Sequence, residues 1–150
     1  MSNTLREFLA EYDNTQFATK RGTEMHDKMR AIRIENGELC GDDEVVENIK
    51  KHPELMRFFG ENSRAEVPVA AEINGHFISR RIDRLVIDDE NRSVYIIDYK
   101  TDTDKDTLHQ KYVTQVQEYV TIIKKIYPKY NVSGYILWLH DWTLESIKNP

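Results

Sequence analysis

Apolar positions recur at helical spacing in the first third of the chain and switch to strand-like alternation in the middle. Leu5, Phe8, Leu9 and Tyr12 fall on one helix face. A second helix is predicted from Thr23 to about Glu35, with Met25, Met29 and Ile32 or Arg33 on successive turns and Asn36-Gly37 as its stop. Gly41-Asp42-Asp43 reads as a turn and cap ahead of Val45, Val46 and Ile49, and Glu44 to Lys51 as a solvated helix face. His52-Pro53 breaks the chain, and Leu55, Met56, Phe58 and Phe59 follow as a short apolar helix.

Ala65 to Ile73 alternates polar and apolar residues, and Asn74-Gly75 is a strong hairpin signal. His76 to Ile87 alternates again, which would put Phe77, Ser79, Arg81, Asp83, Leu85 and Ile87 on one face. After the polar turn Asp88 to Asn91, the β-branched and aromatic run Val94 to Tyr99 suits a central strand. These segments predict an antiparallel meander. A long helix is predicted from Asp104 to Tyr127, with Tyr112, Gln115, Tyr119 and Ile122 or Ile123 on one face and Pro128 beyond its end. Val132 to Leu139 reads as a final buried strand. The order predicts an α/β fold with a mixed central sheet flanked by helices. No repeat or linker interrupts it, so residues 1–150 are expected to form a single domain.

The 150 residues suffice for one core, and 39% hydrophobic with 31% charged residues is ordinary for a soluble protein. No apolar run approaches the ~20 residues that span a bilayer, so no membrane role is expected. The start shows no signal peptide and Cys40 is the one cysteine, which excludes an internal disulfide. A reducing, cytoplasmic location is the expectation. The formal charge of -5 argues against a protein that merely coats nucleic acid. It is compatible with an enzyme that gathers carboxylates around a metal. Lys20 and Arg21, and then Arg80, Arg81 and Arg84, form two local basic groups.

The chemistry begins with Asp83 and Asp98, each set in an otherwise apolar strand pattern. A buried carboxylate costs several kcal/mol unless it is paired or bound to a metal. Lys100 follows Asp98 at the same-face spacing of a strand. Asp83 can join them from the neighbouring strand. Two carboxylates suit a Mg²⁺ site. Such an ion would polarise a phosphate, and Lys100 would orient water or offset developing charge. Glu66 offers a third carboxylate, with Glu61 and Glu72 as alternatives. Taken alone, Asp98-x-Lys100 reads far more readily as an ordinary strand-end ion pair.

Four segments in order change that balance: Gly22-Thr23-Glu24-Met25-His26, Ile82-Asp83-Arg84-Leu85, Ile97-Asp98-Tyr99-Lys100-Thr101 and Gln115-Val116-Gln117-Glu118-Tyr119. Together they resemble the nuclease domain of the RecB and AddA type, within the PD-(D/E)XK superfamily of restriction-endonuclease-like folds. The resemblance implies that His26, Asp83 and Asp98 ligate a metal, with the Tyr99 backbone carbonyl completing the set. Lys100 would be the catalytic lysine. Gln115 and Tyr119 would contact DNA or support the site, as would Arg80, Arg81 and Arg84. Arg81 departs from the pattern, because a small residue usually precedes the Ile-Asp pair. It would crowd the site, contact phosphate, or lie on a solvated strand surface.

The implied cofactor is Mg²⁺ or Mn²⁺, with imidazole favouring Mn²⁺. Relatives that carry an iron–sulfur cluster use four cysteines, so none is expected here. The implied activity is hydrolysis of DNA, single-stranded or at duplex ends, in repair or recombination. Relatives often sit at the C-terminus of a helicase-nuclease, so helicase domains or subunits are candidate partners and the chain is stand-alone or a fragment. No phosphate-binding glycine loop is present. The rivals are a catalytically silent nuclease fold that binds DNA or protein, and a hydrolase of another phosphoester, which would need a closed pocket. His140-Asp141 has no nucleophile beside it, and Trp138 and Trp142 read as core.

Overall fold

Two Asn-Gly steps shape the first half of the molecule. Asn36 and Gly37 (φ 52° and 80°) and Asn74 and Gly75 (φ 52° and 79°) all hold positive φ. This is the condition for a tight hairpin turn of the primed type. The computed structural model describes residues 22–103 and 105–150. The helix expected around Leu5 to Tyr12, the Lys20-Arg21 pair and the start of the long helix at Asp104 lie outside the described residues.

Helix α1 occupies 22–30. The predicted helix through Glu35 is corrected here, because strands β1 (Arg33–Glu35) and β2 (Glu38–Cys40) form a small antiparallel hairpin. Asn36-Gly37 closes that hairpin rather than stopping a helix. Helix α2 (Asp43–Lys50) is capped by the Asp42 carboxylate, which accepts the Val45 N–H at 3.1 Å. A 3₁₀ helix follows over Pro53–Phe58.

Strands β3 (Ser63–Ile73), β4 (His76–Asp88) and β5 (Ser93–Lys100), helix α3 (Lys105–Ile126), and strands β6 (Asn131–Trp138) and β7 (Thr143–Ile147) complete the chain. The sheet runs β3-β4-β5-β6-β7, antiparallel except for the parallel β5–β6 pair that α3 connects. Strand β7 is not evident from the apolar pattern. Its five residues, Thr-Leu-Glu-Ser-Ile, carry only two large apolar side chains.

The sheet is covered on both faces. Met29, Ile32, Ile49, Phe58, Ile97 and Tyr99 pack together beneath α1, α2 and the 3₁₀ helix. Ile82, Leu85, Val94 and Ile96 pack with Tyr119, Val120, Ile122 and Ile123 of α3. Ile82 and Leu85 both face α3, so the strict alternation expected along β4 does not hold through Asp83. Helix α3 approaches β6 so closely that a Cβ on Gly134 would lie 2.5 Å from Val116 Cγ1.

Strand β4 pairs with β3 along nearly its whole length, but with β5 only from Arg84 to Asp88. The two neighbours therefore part at Asp83. Among the described residues no helix is long and apolar enough to cross a membrane.

Candidate metal centre

Where β4 leaves β5, a side chain takes over from the ladder. Asp83 Oδ2 accepts the Tyr99 backbone N–H at 2.8 Å. The other oxygen, Oδ1, lies 3.6 Å from His26 Nδ1 on α1. Strand β3 supplies the third group. Ala65 pairs with Arg84 and Val67 with Ile82, so Glu66 stands opposite Asp83. Its φ of 54° marks a local break in the strand. Ligand atoms of His26, Glu66 and Asp83 all lie within 4.8 Å of one another.

Glu66 thus separates from its alternatives. Glu72 pairs with Phe77 near the hairpin tip, and Glu61 precedes β3. Counting outward from the Asn74-Gly75 turn would have found this in the sequence, since it puts Glu66 opposite Asp83.

Asp98 comes from β5 and is 3% exposed. It lies outside the 4.8 Å grouping of the other three. Lys100 Nζ is 3.0 Å from Asp98 Oδ2, yet that oxygen has no hydrogen-bond partner. The two facts agree if the ammonium is close but its donors point elsewhere. Lys100 Nζ donates to Gln115 Oε1 at 2.9 Å and sits 4.3 Å from the centre of the Tyr112 ring. Gln115 Nε2 in turn donates to the Tyr119 hydroxyl at 2.9 Å. Tyr119 is buried, so it supports Gln115 from below rather than meeting a strand of nucleic acid.

The electrostatics follow from this crowding. Burial, and then the charge of Asp98, push the Asp83 carboxyl up to about 8, against the opposing pull of the Tyr99 N–H and Lys100. Asp83 and Asp98 share the charge of Lys100, Glu66 has only the exposed Arg81 at 4.0 Å, and a buried carboxylate oxygen of Asp98 lacks a hydrogen-bond donor. Hard oxygen ligands with one imidazole are a donor set that Mg²⁺ or Mn²⁺ accepts. The residues present therefore fit a divalent cation.

The arginines divide. Arg81 is 70% exposed at its side chain, with Nη1 4.0 Å from Glu66 Oε2. It rims an open depression with Gly22, Thr23, His26, Asp27, Arg30 and Glu66, so it does not crowd Asp83. Arg80 Nε donates to Glu118 Oε1 of α3 at 2.6 Å. Arg84 is 3% exposed, and a direct DNA contact is corrected for it. It lies across from Ile97, and its guanidinium is bound to the Met29 carbonyl of α1. Tyr99 turns its ring toward α1, edge-on to His26 at 5.9 Å, and enters the centre through its backbone.

No curated protein matches the chain. The crystal structure of SSO0001 is similar at a TM-score of 0.45 and 16% identity, over 73% of this chain and 54% of that one. The chain thus spans about half the length of that protein. The profile of the PD-(D/E)XK nuclease superfamily matches residues 4–141, nearly the whole sequence, and the chain belongs to that superfamily.

Proposed function

We propose that this protein is a divalent-metal-dependent nuclease of the RecB and AddA type that hydrolyses DNA phosphodiester bonds. The observation that carries the reading is the convergence of His26, Glu66 and Asp83 within 4.8 Å, beside the buried Asp98 and Lys100. His26, Asp83, Asp98 and the Tyr99 carbonyl would hold the cation, with Glu66 joining them. A bound Mg²⁺ or Mn²⁺ supplies Lewis acidity toward a phosphate oxygen and acidity to water at the scissile bond.

The chain's own residues do the rest. Asp83 is held in register by the Tyr99 N–H. Lys100 places its ammonium where charge develops on the phosphate, or orients the attacking water. Gln115 keeps that ammonium from turning its donors wholly onto Asp98, and Tyr119 fixes the Gln115 amide. Arg81 offers an exposed cation to a phosphate beside the centre. The depression there is open, which suits a polymer strand better than a small phosphoester. The imidazole favours Mn²⁺ over Mg²⁺.

Processing of single strands or duplex ends in repair or recombination, helicase domains or subunits as partners, a cytoplasmic setting and a single domain over 1–150 belong to the same proposal. The deciding experiment is cleavage of single- and double-stranded DNA with Mg²⁺ or Mn²⁺ by wild type, Asp98→Ala and Lys100→Ala. Cleavage that survives in both variants overturns the site. A wild-type chain that neither cuts nor binds metal is a silent nuclease fold.

A further inference from the structure

Arg84 and Asp98 are the two charged residues buried among the described residues. Asp98 belongs to the metal centre, and the chemistry above leaves Arg84 unused. Its Nε donates to the Tyr99 hydroxyl at 2.8 Å and Nη1 to Ser63 Oγ at 2.9 Å. Its Nη2 donates to the carbonyls of Met29 at 2.9 Å and Ile32 at 3.2 Å. The guanidinium also lies 4.7 Å from the centre of the Phe59 ring. All four acceptors are neutral.

A buried cation without a carboxylate is a poor source of stability, since apolar side chains often fill such space at no loss. What a planar fork of five donors provides is direction. Two of its acceptors are carbonyls, Met29 in the last turn of α1, where the helix dipole places negative charge, and Ile32 just beyond it. A third belongs to Tyr99, whose N–H holds Asp83. The fourth is on Ser63, at the start of the strand that carries Glu66. His26 precedes Met29 by three residues, about one helical turn. One side chain thus ties together α1, β3 and β5 directly beneath the centre.

We propose that Arg84 is a positioning residue for the metal centre. It sets α1 against β5 and so brings the His26 imidazole to Asp83. This rests on the metal reading given above. Lysine cannot replace it, because a single ammonium cannot span acceptors on three elements.

The test is a double-mutant cycle of Arg84→Lys and His26→Ala in the full chain. Mn²⁺ affinity is read by calorimetry, and amide hydrogen exchange is read without metal. Arg84→Lys is expected to weaken Mn²⁺ about tenfold or more, in the range seen when groups that orient ligands are lost. It should also speed exchange in 22–30 relative to α3. In the His26→Ala background the further loss of affinity should vanish. Equal losses in both backgrounds, unchanged affinity, or unchanged exchange in α1 overturns the proposal. Should Arg84→Lys fold poorly, Tyr99→Phe, which removes one acceptor, carries the same cycle with a smaller loss. A wild-type chain without affinity for Mn²⁺ overturns the metal reading and this proposal together. Wild-type binding with an additive cycle overturns this proposal alone.

Discussion

The Asp83 carboxylate is hydrogen-bonded to the backbone N–H of Tyr99, at 2.8 Å. Tyr99 directly follows Asp98, so the first carboxylate is anchored to the strand that presents the second. The two carboxyls are thereby brought near one another on adjacent strands, and the charge of Asp98, after burial, raises the pKa of Asp83. Lys100 offsets part of this repulsion, and a proton on Asp83 or a bound cation would offset the rest.

Asp83→Asn should remove that repulsion. The amide oxygen can still accept the Tyr99 N–H, while the negative charge is gone. The metal-free variant should melt no lower than wild type. Wild type should gain thermal stability with Mn²⁺, by about 2.7 kcal/mol at a hundredfold excess over Kd. The variant should gain none. A rise in Tm with Mn²⁺ that persists in Asp83→Asn would exclude Asp83 as a ligand.

The same carboxyl predicts a pH dependence. Its folded pKa of about 8 lies above that of an unfolded Asp, so the folded state favours the proton. The stabilising contribution is complete below the unfolded value, about 4, and is lost as pH rises through about 8. Melting in the presence of a chelator should therefore show a decline across that window in wild type that is absent in Asp83→Asn. Mn²⁺ affinity should rise over the same window as the cation displaces the proton. A flat metal-free profile would contradict this account.

Gln115→Ala should separate positioning from metal binding. It removes the acceptor that holds Lys100 Nζ 2.9 Å away and lets the ammonium turn toward Asp98. We expect kcat to fall about tenfold, with Mn²⁺ affinity little changed, because the loss is confined to the transition state. Tyr119→Phe should have the same signature at a few-fold. Single-turnover cleavage and calorimetry on each variant measure the two effects. A parallel loss of metal affinity would place Gln115 in the ligand shell instead.

Gly134→Ala tests the seat of α3. The added Cβ would meet Val116 Cγ1 at 2.5 Å and Val120 Cγ2 at 3.1 Å. The helix must lift from β6 or the valines must shift, at a cost of about 1–3 kcal/mol in urea unfolding. Because α3 also carries Gln115 and Tyr119, cleavage should fall further than stability alone explains. An unaltered unfolding midpoint would show that the helix has slack there.

Local pattern alone determined much of this protein. Alternation and the Asn74-Gly75 turn define the β3–β4 hairpin, and the apolar run before Lys100 defines β5, because side-chain period and turn geometry are properties of neighbouring residues. Asp83, Asp98 and Lys100 stood out in the sequence because charges do not belong in buried strands without a partner.

Tertiary structure decided what depends on distant residues. It turned Asn36-Gly37 into a hairpin and recruited the weakly apolar β7 by pairing it with β6. It brought His26 of α1 to Glu66 and Asp83, a meeting that no hairpin register predicts. It separated Arg84 from its local basic group and buried it under α1, because its strand face packs against that helix. A charge on a strand can serve solvent, substrate or core, and only the element packed against its face determines which.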